Sequence, residues 1–151
     1  MSDLTLLIYL SRAVNPPDIP LLEEWGGRFS ENNRKLRVTG LLMTIGDHFV
    51  QLLEGEHDKV MALAQTIKAD ARHTAFRIVY QKPASQRFFG LWSMRFLSLD
   101  DQLHVGTAEF NALRRHVRDL IGKGDVPKAA FLELLQALPA VLQRHQTAQP
   151  P

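Results

Sequence analysis

The chain contains no cysteine, which excludes disulfides, thiolate metal sites and cysteine nucleophiles. No apolar run reaches membrane-spanning length, and Met1-Ser2-Asp3-Leu4 lacks the basic opening of a secretory leader, so the expected location is cytoplasmic, away from any membrane. Charge of one sign is scarce. Lys and Arg number 18 against 16 Asp and Glu, and a net charge of +2, spread along the chain, argues against nucleic acid as a partner. The six histidines, at 48, 57, 73, 104, 116 and 145, are dispersed and show no ligand spacing, so no metal is expected. What is present, 45% hydrophobic and 23% charged residues in 151, suits one compact globular domain with an appended element.

Hydrophobic periodicity supplies the elements. Leu4 to Ser11 is a continuous apolar and β-branched run, expected as a buried central strand with Thr5, Leu7, Tyr9 and Ser11 on one face. Asn15-Pro16-Pro17-Asp18 interrupts it, and Asp18 is placed to cap a helix carrying Ile19, Leu22, Trp25 and Phe29, expected to end near Asn32-Asn33. Val38 to Thr44 and His48 to Glu54 read as a hairpin around Gly46-Asp47. A second helix is expected from Asp58 to Ala69, then a strand from Phe76 to Gln81, a loop opening at Pro83, and a short final strand from Ser93 to Leu97. The order βαββαββ predicts an α+β fold, a ferredoxin-like sandwich. Beyond residue 100, Phe110, Leu113, Val117 and Leu120 have helical spacing, and a second helix follows Pro127 with Phe131, Leu134, Leu135, Leu138 and Val141 on one face. These two C-terminal helices read as an antiparallel hairpin over 101–146, with 147–151 as a frayed tail.

One residue breaks the apolar pattern. Gln51 lies inside Phe49-Val50-Gln51-Leu52-Leu53, where a primary amide is costly unless its donors and acceptor are met. In a ferredoxin-like sheet the first and third strands are central neighbours, so Tyr9 and Gln51 are expected to face the helical layer together. The final strand is expected beside the first, bringing Trp92, Ser93 and Met94 within reach. Taken singly, each residue has an ordinary explanation: Tyr9 as core, Gln51 as an edge-strand surface residue, Asn32-Asn33 as a helix C-cap, Trp92 as packing. Their joint order and spacing argue for a site instead.

LIYLSRA (7–13), NN-x4-VTGLL (32–42), FVQLLEG (49–55), D-x-RH (70–73) and WSMRF (92–96) together resemble the BLUF domain, a flavin-binding blue-light sensor. The resemblance implies a flavin-binding domain over residues 1–100 and a short, stand-alone protein with a helical extension. The cofactor is expected to be FAD, with FMN possible; Thr66 stands where many members carry a basic residue, with Lys68 nearby. The ring would lie between the two helices, walled by Trp25, Phe29 and Ile67, with Phe49 and Ser93 also in the binding set. Asn32 would meet the ring's polar edge, while Asn33, Asp70, Arg72 and His73 would lie toward the ribityl and phosphate tail. Tyr9 would bond Gln51, and Gln51 the flavin at N5 and O4. Light would move an electron and a proton from Tyr9 and leave Gln51 rotated or tautomerised, a change read by Trp92 or Met94.

The resemblance further implies no catalytic output in this chain: not an enzyme, but a receptor acting on a separate effector protein and expected to be a homo-oligomer. The other reading is a ferredoxin-like interaction module without flavin. A hydrolase of the acylphosphatase kind lacks its phosphate-cradling Arg and strand Asn here.

Overall fold

A computed structural model describes residues 3–15, 18–87, 95–100 and 108–122. The chain divides into two units, Met1–Ser98 and Leu99–Pro151. The first runs β1 (Leu4–Ala13), α1 (Ile19–Leu36), β2 (Thr39–Ile45), β3 (His48–Glu56), α2 (His57–Lys68), β4 (His73–Ala84) and β5 (Arg95–Ser98), an α+β fold of the ferredoxin-like kind. Its five strands are ordered β4-β1-β3-β2-β5.

β1 lies inside the sheet, between β4 and β3, because its apolar run satisfies both faces: Leu6, Leu7, Ile8, Tyr9 and Leu10 are all buried. It pairs antiparallel with β3, and the register sets Leu7 against Leu53, Ile8 against Leu52 and Tyr9 against Gln51. The face carrying Leu7, Tyr9, Leu42, Phe49 and Leu53 packs beneath both helices, against Val60 and Ala64 of α2 and Trp25 and Phe29 of α1. Asp18 caps α1, accepting from Leu21 N at 2.9 Å.

Three sequence expectations change. α1 runs past Asn32-Asn33 to Leu36, because Arg34 and Lys35 suit its C-terminal dipole and Arg37 (φ 56°, ψ 37°) closes it in the left-handed region. β4 extends through Pro83 to Ala84, which is tolerated because β4 is an edge strand and needs no donor on its outer side. β5 lies beside β2, parallel to it, rather than beside β1. Both sides of β1 are already occupied, by β3 and β4, so the last strand cannot pair with β1 and adds at the β2 edge of the sheet instead.

β4 follows β1 irregularly. The pairing passes from Ile8↔Tyr80 to Tyr9↔Ile78, and from Leu10↔Arg77 to Arg12↔Thr74, so β4 bulges on each side of the stretch opposite Tyr9 and Leu10. At the second bulge Ala75 adopts φ 55°. Past β4, Arg87 fastens the departing chain: its Nη2 donates to Arg37 O at 2.8 Å and its Nη1 to Thr39 Oγ1 at 3.0 Å and Glu54 O at 3.2 Å.

In the second unit, α3 (Ala108–Gly122) buries Leu113, Val117 and Leu120, three of the four residues whose spacing announced it. Arg114 Nε donates to Leu99 O at 2.9 Å. The helix expected after Pro127, the tail, and the site candidates Trp92, Ser93 and Met94 lie outside the described residues.

Gly40 of β2 marks where the sheet tolerates no side chain: a Cβ there would stand 2.1 Å from the Leu52 carbonyl oxygen. Gly40→Ala is expected to destabilise the fold by about 1–3 kcal/mol or more, measured as a lowered urea midpoint with an unchanged slope.

Candidate functional site

Between α1, α2 and the sheet lies a cleft with a cavity volume of about 220 Å³. The sheet supplies Tyr9, Leu42, Phe49 and Gln51 to its floor. α1 supplies Trp25, Phe29, Asn32 and Asn33, α2 supplies Leu63, Thr66 and Ile67, and Asp70, Arg72 and His73 complete the lining. The cleft thus gathers eleven of the fourteen sequence-predicted site residues: 9, 25, 29, 32, 33, 49, 51, 67, 70, 72 and 73. The remaining three, at 92–94, fall outside the described residues. Leu42 and Leu63 were missed as site residues. Their helical and strand periodicity marks them only as core, and nothing local distinguishes a core leucine from a cleft leucine.

At the floor, the Tyr9 hydroxyl donates to Gln51 Oε1 in a buried hydrogen bond. The two residues face each other directly across β1 and β3, and Gln51 is only 5% exposed. Burial pushes the Tyr9 phenol above its ordinary range, the nearby Asp70 carboxylate adds to the rise, and Arg72 partly opposes it. The phenol therefore remains a proton donor, and Gln51 presents its carbonyl end to it.

Asn33 occupies the opposite wall. It is 3% exposed, and its Nδ2 is buried with no hydrogen-bond partner. Asn32 lines the cleft from an exposed position. α1 continues past both residues to Leu36, with the second asparagine on its buried side and the first on its exposed side. His73 is held at both ring nitrogens, Nδ1 by Ser11 Oγ at 2.7 Å and Nε2 by the Ile67 carbonyl. Since a carbonyl only accepts, Nε2 carries the proton.

At the rim, Asp70 and Arg72 form an ion pair at 2.5 Å, and this neighbour lowers the Asp70 carboxyl to about 2. The Arg72 guanidinium also lies over the rings of Trp25 and Phe29, 4.9 and 5.2 Å from their centroids. Thr66 donates its hydroxyl to Ala62 O at 3.3 Å.

An apolar, aromatic-walled slot with a switchable amide on its floor, an unmet amide donor on its wall and a cation at its mouth suits a flat, polar-edged, anionic-tailed ligand. The family model for sensors of blue-light using FAD, BLUF, matches residues 4–95. The chain belongs to the BLUF family. It is similar to the blue light- and temperature-regulated antirepressor BluF of Escherichia coli K12, with 33% identity over 116 residues, covering 71% of this chain and 29% of that protein. It is similar also to photoactivated adenylate cyclase subunit beta of Euglena gracilis, with 31% identity over 101 residues, covering 66% of this chain and 12% of the relative. Among solved structures, the dark state of BlrB, a BLUF protein, superposes with a TM-score of 0.69 at 29% identity, covering 93% of this chain and 98% of that one. This BLUF chain thus spans a small part of the curated relatives and nearly the whole of BlrB. Its cleft fits the flavin that the family uses, and the orphaned Asn33 amide is the observation that tests that fit.

Two titrations check this electrostatic picture. Tyr9 should stay protonated near pH 11, where an ordinary phenol of pKa about 10 is mostly ionised; a tyrosinate difference spectrum between native and Tyr9→Phe protein measures it. Asp70 is lower in the folded chain than in the unfolded one. Its pair with Arg72 therefore stabilises the fold above the unfolded pKa of about 4 and is lost as pH falls toward about 2. Asp70→Asn should flatten that part of an acid-unfolding curve.

Proposed function

We propose that this BLUF chain is a light-sensing unit whose state is held in the Tyr9–Gln51 hydrogen bond and conveyed to a separate effector protein. The observation that carries the proposal is that bond, buried and made by an amide with two unlike ends. Bound flavin supplies the absorption of blue light and the photochemistry. The protein's part is a donor that stays protonated and a partner that has two settings. With Oε1 toward Tyr9, the phenol donates. With the terminal amide turned by half a revolution, Nε2 meets the phenol oxygen and the sense of the bond reverses. Burial magnifies the difference between the two settings, because no water is available to soften it.

Within the same proposal, Asn33 rather than Asn32 meets the polar edge of the ring, supported by its burial and its unmatched Nδ2. Trp25, Phe29, Phe49 and Ile67 enclose the ring faces. Arg72 serves the anionic tail, exchanging its place over the aromatic rings for a phosphate, with Asp70, His73 and Asn32 beside it. FAD is the proposed cofactor, in line with the family, and FMN would be admitted by the same ring pocket. The unit beginning at Leu99 is proposed as the surface through which the signal leaves, with Trp92, Ser93 and Met94 just before it in sequence. The antirepressor and cyclase relatives extend far beyond the matched region, which supports a light-sensing unit whose output lies outside it, and we further propose self-association of this chain.

The decisive experiment is spectroscopic. Purified protein should be yellow and undergo a reversible red shift under blue light. Tyr9→Phe and Gln51→Leu should each remain yellow and lose the shift; a normal photocycle in either would refute the switch, and colourless protein unable to take up flavin would favour a flavin-less interaction module. Asn33→Ala should weaken flavin binding by about 2- to 10-fold, the worth of one buried hydrogen bond, with Asn32→Ala having a smaller effect. Fluorescence titration of the flavin-free protein measures both.

A further inference from the structure

We infer that Phe76 is a positioning residue for Tyr9, setting the pose from which the phenol reaches Gln51. This rests on the reading of Tyr9–Gln51 as the switch and adds a residue to it. Phe76 stacks on the Tyr9 ring with centroids 4.6 Å apart and planes inclined by 30°. It is absent from the lining of the cleft, so it supports Tyr9 from the β4 side without touching the ligand space.

The backbone goes out of its way to place it. His73 and Phe76 both meet the Tyr9 ring, yet they are three residues apart in a strand where alternate residues share a face. Regular pairing would send Ala75, rather than Phe76, to the side of His73. The bulge at Ala75, with its φ of 55°, resets that parity, and Phe76 and Ile78 then face the core with Tyr9. A non-glycine residue in the left-handed region is strained and persists only where surrounding structure holds it. Here the arrangement delivers an aromatic ring onto the photoactive tyrosine.

His73 closes the cluster. It stands edge-on to Tyr9 at 6.1 Å and to Phe76 at 6.0 Å, and both of its nitrogens are tied. Tyr9 is therefore located at three points: one ring face by Phe76, one edge by His73, and the hydroxyl by Gln51. Of these, only Phe76 carries no hydrogen-bonding group. Its loss should loosen the phenol without removing any hydrogen-bonding group.

The test uses the full chain labelled with 13C at tyrosine, which holds just two tyrosines, Tyr9 and Tyr80, so that Tyr80→Phe assigns the spectrum. In Phe76→Leu, the bonded population of the Tyr9 phenol should fall by about 2- to 10-fold, with its Cζ resonance moving toward the free-phenol value. Dark recovery of the flavin-loaded protein should change by a similar factor. Phe76→Trp, which restores a flat face, should return both readings to within about twofold of native. If Phe76→Leu fails to fold, Phe76→Met keeps the volume without the flat face and serves in its place. An unmoved Cζ resonance in the aliphatic variant would overturn the inference, as would a Trp variant that behaves like Leu. Because the resonance is read without flavin, a protein that takes up no flavin would sink the proposed photoreceptor function and leave this result standing.

Discussion

The register between β1 and β3 is the constraint on which the rest depends. Strand side chains alternate with a period of two, so a slip of one residue would move Gln51 to the other face of the sheet and strand it away from Tyr9. The apolar pairs Leu7–Leu53 and Ile8–Leu52 make such a slip expensive, because it would exchange well-packed leucines for mismatched neighbours. A set of ordinary core contacts thereby guarantees a polar one. The helices then close over the pair, and α2's Val60 and Ala64 anchor one wall while α1's aromatic residues form the other.

The cleft departs from the rules that the core obeys. A buried amide nitrogen is left without a partner at Asn33, and Arg72 lies across two aromatic rings at the mouth. Such a group typically costs about 1–3 kcal/mol while unmet. Such a violation on a concave surface, with no other buried side-chain nitrogen or oxygen left without a partner among the described residues, is the mark of a surface shaped for a ligand rather than for stability. The pose of Tyr9 belongs to the same design, since a bulged and partly strained edge strand is what brings Phe76 onto its ring.

Much of this was legible from the residues. The continuous run of β1, the glycine turn of the hairpin at Gly46 and the capped start of α1 at Asp18 carry strong local signals, and the pairing of Tyr9 with Gln51 follows once the sandwich topology is recognised. Three features were not legible, for separate reasons. Neighbouring asparagines have identical propensities, so only the true end of α1 decides which of Asn32 and Asn33 turns inward. Bulges in β4 leave no imprint because Ala75 and Val79 are unremarkable strand residues, and the irregularity arises from pairing. The place of β5 depends on which of the two edges of the assembled sheet the chain returns to, a non-local property that no window of sequence contains.

That placement has a consequence for how the sheet comes apart. β4 and β5 are consecutive in the chain and lie at opposite edges, so the chain crosses four strand spacings, roughly 19 Å, between them. In the sheet β5 pairs with Leu41 to Thr44 of β2, with α1 also lying against it, and the four strands that remain without it form a complete antiparallel sheet. β5 is therefore an edge strand on which the rest of the sheet does not rely, a terminal zip rather than a keystone. Arg87, clasping the end of α1 and the edge of the β2–β3 hairpin, fixes the point from which that zip runs. Leu42 of β2, paired with Gln51 on one side and with Phe96 of β5 on the other, is the single strand step between that zip and the Tyr9–Gln51 floor.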